Sequence, residues 1–226
     1  INSWNQEEFG RFIQYLLLHQ HMADSTIARH NKALKQFLRY AYPMNEFKFM
    51  RYILKPVEEE IVALTDRELK NLIDADLGGY LEKTRDLFIF LATTGMRFSD
   101  SQLFQRYWVT DKDVLKFQQL KTGGLAYPPL YEVSRRVLMK YDGIPPQISN
   151  QKFNDYLKEL FAELRLNRPI VSHIVRNRVV YRTINPLHEV ISSHTARRTF
   201  ITLGLQHGIP LQNMMKMSGH SDYKSM

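Results

Sequence analysis

Hydrophobic residues recur along most of this chain with the spacing of helices. Phe9, Phe12, Ile13, Leu16 and Leu17 fall three and four apart, which predicts an amphipathic helix over residues 4–18. Asp24 and Ser25 are both good helix-capping residues, and a second helix is predicted from there to about Ala41. Its apolar side is expected to carry Ile27, Ala33, Leu34, Phe37, Leu38 and Ala41, with Arg29, Lys32, Lys35 and Arg39 opposite. Pro43 and Pro56 bracket a less regular stretch, and the acidic run Glu58-Glu59-Glu60 follows, which places a linker over 55–61. Thr65 and Glu68 then form a capping box, with Leu64 and Leu69 at the hydrophobic-staple positions of a helix expected to end at Gly78-Gly79. A buried helix is predicted over about 80–93, closed by Gly95.

Between Tyr107 and Leu130 the period shortens. Val114, Phe117 and Leu120 sit among polar residues, and TDKD at 110–113 and KTGG at 121–124 read as turns, so a small antiparallel sheet is expected. Helices resume over about 132–141 and 150–165, the second with Phe153, Leu157, Leu160 and Phe161 in phase. The β-branched, basic stretch 168–184 reads as irregular or as a short hairpin. Ser193 or His194 opens a helix to about His207, and Gly208 and Pro210 separate it from a short Met-rich helix ending at Gly219. The class expected is mainly α with a small antiparallel β-sheet: a helical domain over 1–54, the linker, and a mixed domain over 62–226.

Composition narrows the function classes. The longest apolar run, residues 87–92, is far too short to cross a bilayer, and the polar start INSWNQEEFG has no signal-peptide character. There is no cysteine, which removes disulfide frameworks and thiolate metal sites and fits a reducing compartment. The first residue is not Met, so the chain is expected to be a piece of a longer protein. Lys and Arg outnumber Asp and Glu by 31 to 23, a net charge of +8 that favours a polyanionic partner. The basic stripe of the second helix, with no acid from 25 to 41, is a solvated charged face or a phosphate-tracking face.

The chemistry is concentrated in basic residues placed just after breaks in structure. His188 and His194, or His19 and His21, lack carboxylates at metal-binding spacing, and no phosphate-cradling glycine loop appears. Arg97 follows Gly95 in TGMRFSD, Lys121 sits at the turn of LKTGG, His194 and Arg197 share a helical face in HTARRTF, and His220 follows Gly219 in SGHSD. Each has an ordinary reading alone. Arg97 could pair with Asp100, Lys121 could be a turn lysine, His194 a cap, Arg197 and Arg198 surface charges, and His220 a partner for backbone carbonyls.

Together, the order Arg, Lys, His-x-x-Arg, His resembles the active-site signature of the tyrosine recombinase (phage integrase-like) family. The likeness covers roughly residues 62–226, with about a hundred residues between the two arginine boxes. Segment 1–54 is similar, with less specific motifs, to the family's SAM-like core-DNA-binding domain. The style of the boxes resembles integrases of bacterial mobile elements. The resemblance implies site-specific recombination or integration through a 3′-phosphotyrosyl intermediate, without metal or other cofactor. It implies that Arg97 and Arg197 clamp the scissile phosphate and that Lys121 is the general acid. His194 then assists the tyrosine, His220 steadies the phosphate, and Asp100 orients Arg97. Arg29, Lys32, Lys35 and Arg39 are the expected DNA-binding residues, facing a clamp formed by the two domains. The partner implied is double-stranded DNA, with a tetramer on synapsed DNA and a monomer without it, in the cytoplasm of a bacterium, at the nucleoid and away from membranes.

The family places its nucleophilic tyrosine about nine residues past the final histidine, whereas this sequence ends six residues after His220. Tyr223 is out of register and expected to be structural, so the 226 residues alone are expected to bind DNA without forming an adduct. Three competing readings remain at this point: a DNA-binding member of the fold without a nucleophile, a type IB topoisomerase-like enzyme, and a transcription factor of similar sequence. The last leaves the full set of five basic residues without a purpose.

Overall fold

The structure, a computed structural model, describes residues 5–44, 46–55, 57 and 60–223. Trp4 of the predicted first helix, and Pro56, Glu58 and Glu59 around the predicted linker, lie outside the described residues. In chain order, α1 (Gln6–Leu18) and α2 (Asp24–Ala41) precede α3 (Asp66–Asp74), α4 (Gly79–Thr94) and the single turn α5 (Phe98–Ser101). The antiparallel pair β1 (Phe117–Gln118) and β2 (Leu125–Ala126) sets Phe117 opposite Ala126. Next come α6 (Glu132–Lys140), α7 (Asn150–Glu163) and the paired strands β3 (Pro169–Arg176) and β4 (Val179–Pro186). The last elements are α8 (Leu187–Val190), α9 (Ser193–Gln206) and α10 (Leu211–Ser218). Helices dominate, as the periodicity predicts, and the basic stretch 168–184 resolves into a hairpin. Among the described residues, no helix is long and apolar enough to cross a membrane.

Two compact units form: Ile1–Glu60 with Val171–Ile184, and Ile61–Ile170 with Asn185–Met226. In the first, the Asn5 side chain caps α1 by accepting from the Glu7 and Glu8 N–H groups, and Phe9, Ile13 and Leu16 turn inward. They meet Ile27 and Leu38 of α2 together with Phe47 and Met50. The buried stripe of α2 is narrower than its apolar residues suggest. Ile27, Asn31 and Leu38 are buried, whereas Ala33, Phe37 and Ala41 are exposed. Asn31 takes the place expected of an apolar residue because its amide reaches the Met50 carbonyl.

The predicted cap of α2 is also different. The N-cap is Ala23, with no side-chain cap bond, and Asp24 is drawn to another task. Its buried carboxylate accepts from the Asn177 N–H at 2.7 Å and the Arg178 N–H at 2.9 Å. Those two residues form the β3–β4 turn with positive φ, so Asp24 fixes the hairpin tip within the first unit. Burial, followed by the Asp24 charge and hydrogen bond, pushes the Tyr52 phenol up to about 12.

The second unit is built around α4. Leu87, Phe88, Phe90 and Leu91 are fully buried on several sides of that helix, among Leu72 of α3, Val137 of α6, Phe153 and Phe161 of α7 and Ala196 of α9. A helix enclosed in this way shows no clean apolar stripe. The capping box of α3 forms as predicted, with Thr65 Oγ1 accepting from Glu68 N–H and Glu68 accepting from Thr65 N–H. That helix ends at Asp74, four residues earlier than expected, and Gly78 instead serves as the N-cap of α4. Gly95 closes α4 with φ +64, and a Cβ there would lie 2.3 Å from the Phe200 ring. Only glycine meets both demands, and it sets the backbone of the residues that follow.

Candidate active site

Arg97, Lys121, His194 and His220 lie at or beside the ends of regular elements, and Arg197 lies one turn inside α9. Arg97 is the N-cap residue of α5, directly after the Gly95 break. Lys121 is exposed in the turn between β1 and β2, where Gln119 and Gly124 close the loop and Gly123 takes φ +67. His194 and Arg197 lie in the first turns of α9, which Ser193 opens as expected, with Ser192 at the N-cap. The start of α9 is further held by Asn154, which accepts from the Ser193 N–H at 2.8 Å. His220 follows Gly219, which ends α10 with φ +67 and lets the His220 N–H return to the Met215 carbonyl at 3.0 Å.

These elements converge. Arg97, Lys121, His194 and Arg197 line one cavity of about 260 Å³, together with Phe98, Ser99, Asn150 and Ser193. His220 joins through Arg197, whose Nη2 lies 3.1 Å from its Nε2 and 3.3 Å from its Nδ1. Ser218 Oγ donates to the Met214 carbonyl and is therefore free to accept from His220 Nδ1–H at 2.8 Å. That network assigns the ring proton to Nδ1 and leaves Nε2 as an acceptor for Arg197.

The two arginines are held very differently. Arg197 is 2% exposed, donating from Nη1 to the Gly95 carbonyl and from Nη2 to the Ser218 carbonyl, both at 2.6 Å. Burial, then the Arg97 charge, push its pKa down to about 9, which still leaves a cation at neutral pH. Among the described residues Arg97 makes no such bonds, and its Nη1 is buried without a hydrogen-bond partner. A buried donor left unpaired costs about 1–3 kcal/mol, a cost that an anion entering the cavity would remove. The arrangement is one guanidinium fixed by the fold and one with a donor to spare, a combination suited to an anion.

Positive charge also sets the histidines. Burial first, then Arg198, Arg197, Arg97 and Lys121, hold His194 below its ordinary pKa. Burial, then Arg197 and Arg97, hold His220 down at about 4. Both are neutral at pH 7, so His194 has a lone pair ready to accept a proton.

Asp100 departs from its expected place. Its carboxylate does not hold Arg97; Oδ1 accepts from the Leu120 N–H at 2.9 Å, and Oδ2 is buried without a partner. It thereby anchors the residue just before Lys121. Leu120 is exposed, and its neighbour Gln119 is buried. Asn150 also lines the cavity and carried no sequence signal beyond its polarity. Among the described residues, no cluster of three or more His, Asp or Glu is placed to hold a metal ion. On α2, Arg29, Lys32 and Arg39 are exposed, whereas Lys35 is half-buried with Nζ 3.5 Å from the Met50 carbonyl.

The fold is similar to that of the Tn1549 transposon integrase (residues 82–397) in complex with transposon right end DNA. The TM-score is 0.68 at 15% identity, over 100% of this chain and 80% of that one. It is also similar to XerH site-specific recombinase bound to difH substrate in a pre-cleavage complex, at a TM-score of 0.68 and 14% identity, covering 100% and 66%. A lambda integrase dimer bound to a core site gives a TM-score of 0.68 at 14% identity, covering 99% and 78%. At such identities the likeness is one of fold. No curated protein sequence matches the chain. The model of the phage integrase family matches residues 62–226, the segment that carries Arg97, Lys121, His194, Arg197 and His220, and on that match the chain belongs to the phage integrase family of tyrosine recombinases.

Proposed function

We propose that the chain carries out site-specific recombination of double-stranded DNA by direct phosphodiester exchange. The observation that carries this reading is the convergence of Arg97, Lys121, His194 and Arg197 on one cavity, with a buried guanidinium N–H of Arg97 lacking any protein partner. A tyrosine oxygen attacks the scissile phosphorus while its proton passes to neutral His194. Arg97 and Arg197 share the negative charge that grows on the non-bridging oxygens. As the bond to the 5′-oxygen breaks, Lys121 donates a proton to that oxygen and the DNA remains joined through a 3′-phosphotyrosyl bond. Reversal with a different 5′-hydroxyl rejoins the strand, so the exchange needs no nucleotide cofactor. His220 acts on the phosphate through Arg197, which it helps to orient. An attacking tyrosine about nine residues beyond His220, the spacing that the resemblance implies, leaves Tyr223 with no chemical role in this reading. Arg29, Lys32 and Arg39, with Lys35 as a weaker contributor, track DNA phosphates outside the site. The Tn1549, XerH and lambda structures contain DNA, which supports the same partner here.

The test uses the natural full-length chain and a DNA site selected from random-sequence duplex by binding. A nicked duplex bearing that site traps the covalent complex, and a denaturing gel run after incubation in EDTA reads it. An adduct that survives EDTA and disappears in Arg97→Ala is expected. Cleavage that requires a divalent cation, or an adduct mapping to Tyr223, contradicts the assignment.

A further inference from the structure

Between the Lys121 turn and the rest of the site lies a buried polar side chain that the reaction does not use directly. Gln119 is 1% exposed, and each end of its amide is engaged. Nε2 donates to the Ser218 carbonyl at 2.6 Å, and Oε1 accepts from the Thr122 hydroxyl at 2.7 Å. Its main chain closes the Lys121 loop, with Gln119 N–H donating to the Gly124 carbonyl and the Gln119 carbonyl accepting from Gly123 N–H, both at 2.9 Å. The Ser218 carbonyl that Gln119 reaches is the same one that accepts from Arg197 Nη2. Ser218 also accepts from His220 through its hydroxyl. One side chain therefore ties the loop bearing Lys121 to the carbonyl that fixes Arg197 and to the turn that presents His220.

The surroundings are shaped for this contact. A Cβ at Gly219 would lie 2.4 Å from Gln119 Nε2, so glycine there leaves room for the amide as well as meeting the positive φ. Burial alternates through β1 and the residues flanking it, with Leu115, Phe117 and Gln119 inward, and a glutamine in an inward position is costly unless both of its polar ends are paired. Asp100 adds a second tether one residue later through the Leu120 N–H. The Lys121 side chain itself is exposed, so its placement depends on how firmly the base of its loop is held.

We propose that Gln119 is a positioning residue for the reaction, holding the Lys121 loop in register with Arg197 and His220 through the Ser218 carbonyl. The inference rests on the recombinase reading and deepens it. Gln119 touches no reacting atom; it sets where Lys121 stands when the 5′-oxygen departs. Loss of the tether should slow leaving-group protonation and leave the guanidinium contacts to phosphate nearly intact.

A leaving group that needs no proton separates these effects. A nicked duplex bearing the selected site is made twice, once with the ordinary 5′-bridging oxygen and once with sulfur at that position, whose thiolate departs unprotonated. Gln119→Met keeps the side-chain length and removes both hydrogen bonds. It is expected to cleave the oxygen substrate about 10–100-fold more slowly than wild type, a partial loss of the roughly 10²–10⁴-fold that a general acid supplies. On the sulfur substrate it should come within about threefold of wild type, and DNA affinity should be unchanged. Thr122→Val removes only the exposed hydroxyl on Oε1 and keeps the test open if Gln119→Met does not fold. It should show a smaller loss, about three- to tenfold, with the same rescue by sulfur. Equal losses on both substrates would mean that Gln119 acts through the phosphate clamp or the fold, and would overturn the proposal, as would no loss on either. A wild-type chain that cleaves neither substrate overturns the recombinase reading and, with it, the role given to Gln119.

Discussion

The cations of α2 and the cations of the candidate active site carry the same charge in opposite surroundings. Arg29, Lys32 and Arg39 stand in solvent on one helix, where salt screens them and rotamer freedom is kept. Arg197 is buried and fixed by two carbonyls and a histidine, and Arg97 keeps a buried donor unpaired beside it. The first arrangement suits contacts that add up along a polyanion, each contributing little and reading no sequence. The second has already undergone desolvation and ordering in the fold, so its donors are aimed before substrate arrives. Charge alone does not distinguish a track from a catalyst; desolvation and fixed geometry do.

The largest expected effects come from separating the two arginines of the cavity. Arg97→Ala should reduce cleavage by roughly 10³-fold, the scale of losing a preorganised charge donor, while the melting temperature stays level or rises. It removes an unpaired buried donor and relieves the neighbouring positive charge that depresses Arg197. Arg197→Ala should abolish cleavage and also destabilise the fold by about 2–4 kcal/mol, because the Gly95 carbonyl loses its side-chain donor and the Ser218 carbonyl keeps only Gln119. Thermal melts alongside single-turnover rates check the contrast; equal destabilisation by both variants would break it. Next in size, Lys121→Ala should slow cleavage by about 10²–10³-fold, with no change in melting, since Lys121 is exposed at a turn.

Acid should weaken the buried site through His220. His220 holds its pKa near 4 in the fold, below the ordinary histidine value of 6.5. Between those values the unfolded chain binds a proton that the folded chain refuses, so stability is fully present above about 6.5 and falls as pH drops toward 4. The loss, discounted for partial exposure, is on the order of 1–2 kcal/mol, and His220→Asn should remove most of that pH dependence in denaturant melts. The smallest effects belong to the helix. Lys32→Ala should lower the salt slope of DNA binding by about one phosphate's share, roughly 0.9, with no change in sequence preference. Lys35→Ala should change it less, because its ammonium already lies against the Met50 carbonyl.

What was legible in the sequence follows the same division between local and distant causes. The α3 capping box, the Gly95 and Gly219 stops and the boxes around Arg97, His194 and His220 are local patterns, and each stands where the spacing put it. The misjudged positions answer to partners far along the chain. Asp24 is not a cap because Asn177 and Arg178, over 150 residues away, claim its carboxylate. Asp100 turns from Arg97 to Leu120 because the β1–β2 loop comes back against it, and Asn31 replaces an apolar residue because the Met50 carbonyl needs a donor. Gln119 did leave a trace, as a polar residue on the inward phase of a strand, but its partner at Ser218 could be known only from the fold.

In the proposed reaction the paired guanidinium groups work by stabilising negative charge on one phosphate. Single-turnover cleavage by Arg97→Ala of two nicked duplexes tests it most directly, one with the natural scissile phosphate and one with a neutral methylphosphonate in its place. The variant should lose at least about 10²-fold relative to wild type on the phosphate and little on the methylphosphonate, where less negative charge develops. An equal loss on both would show that Arg97 serves binding or folding, and would contradict the account.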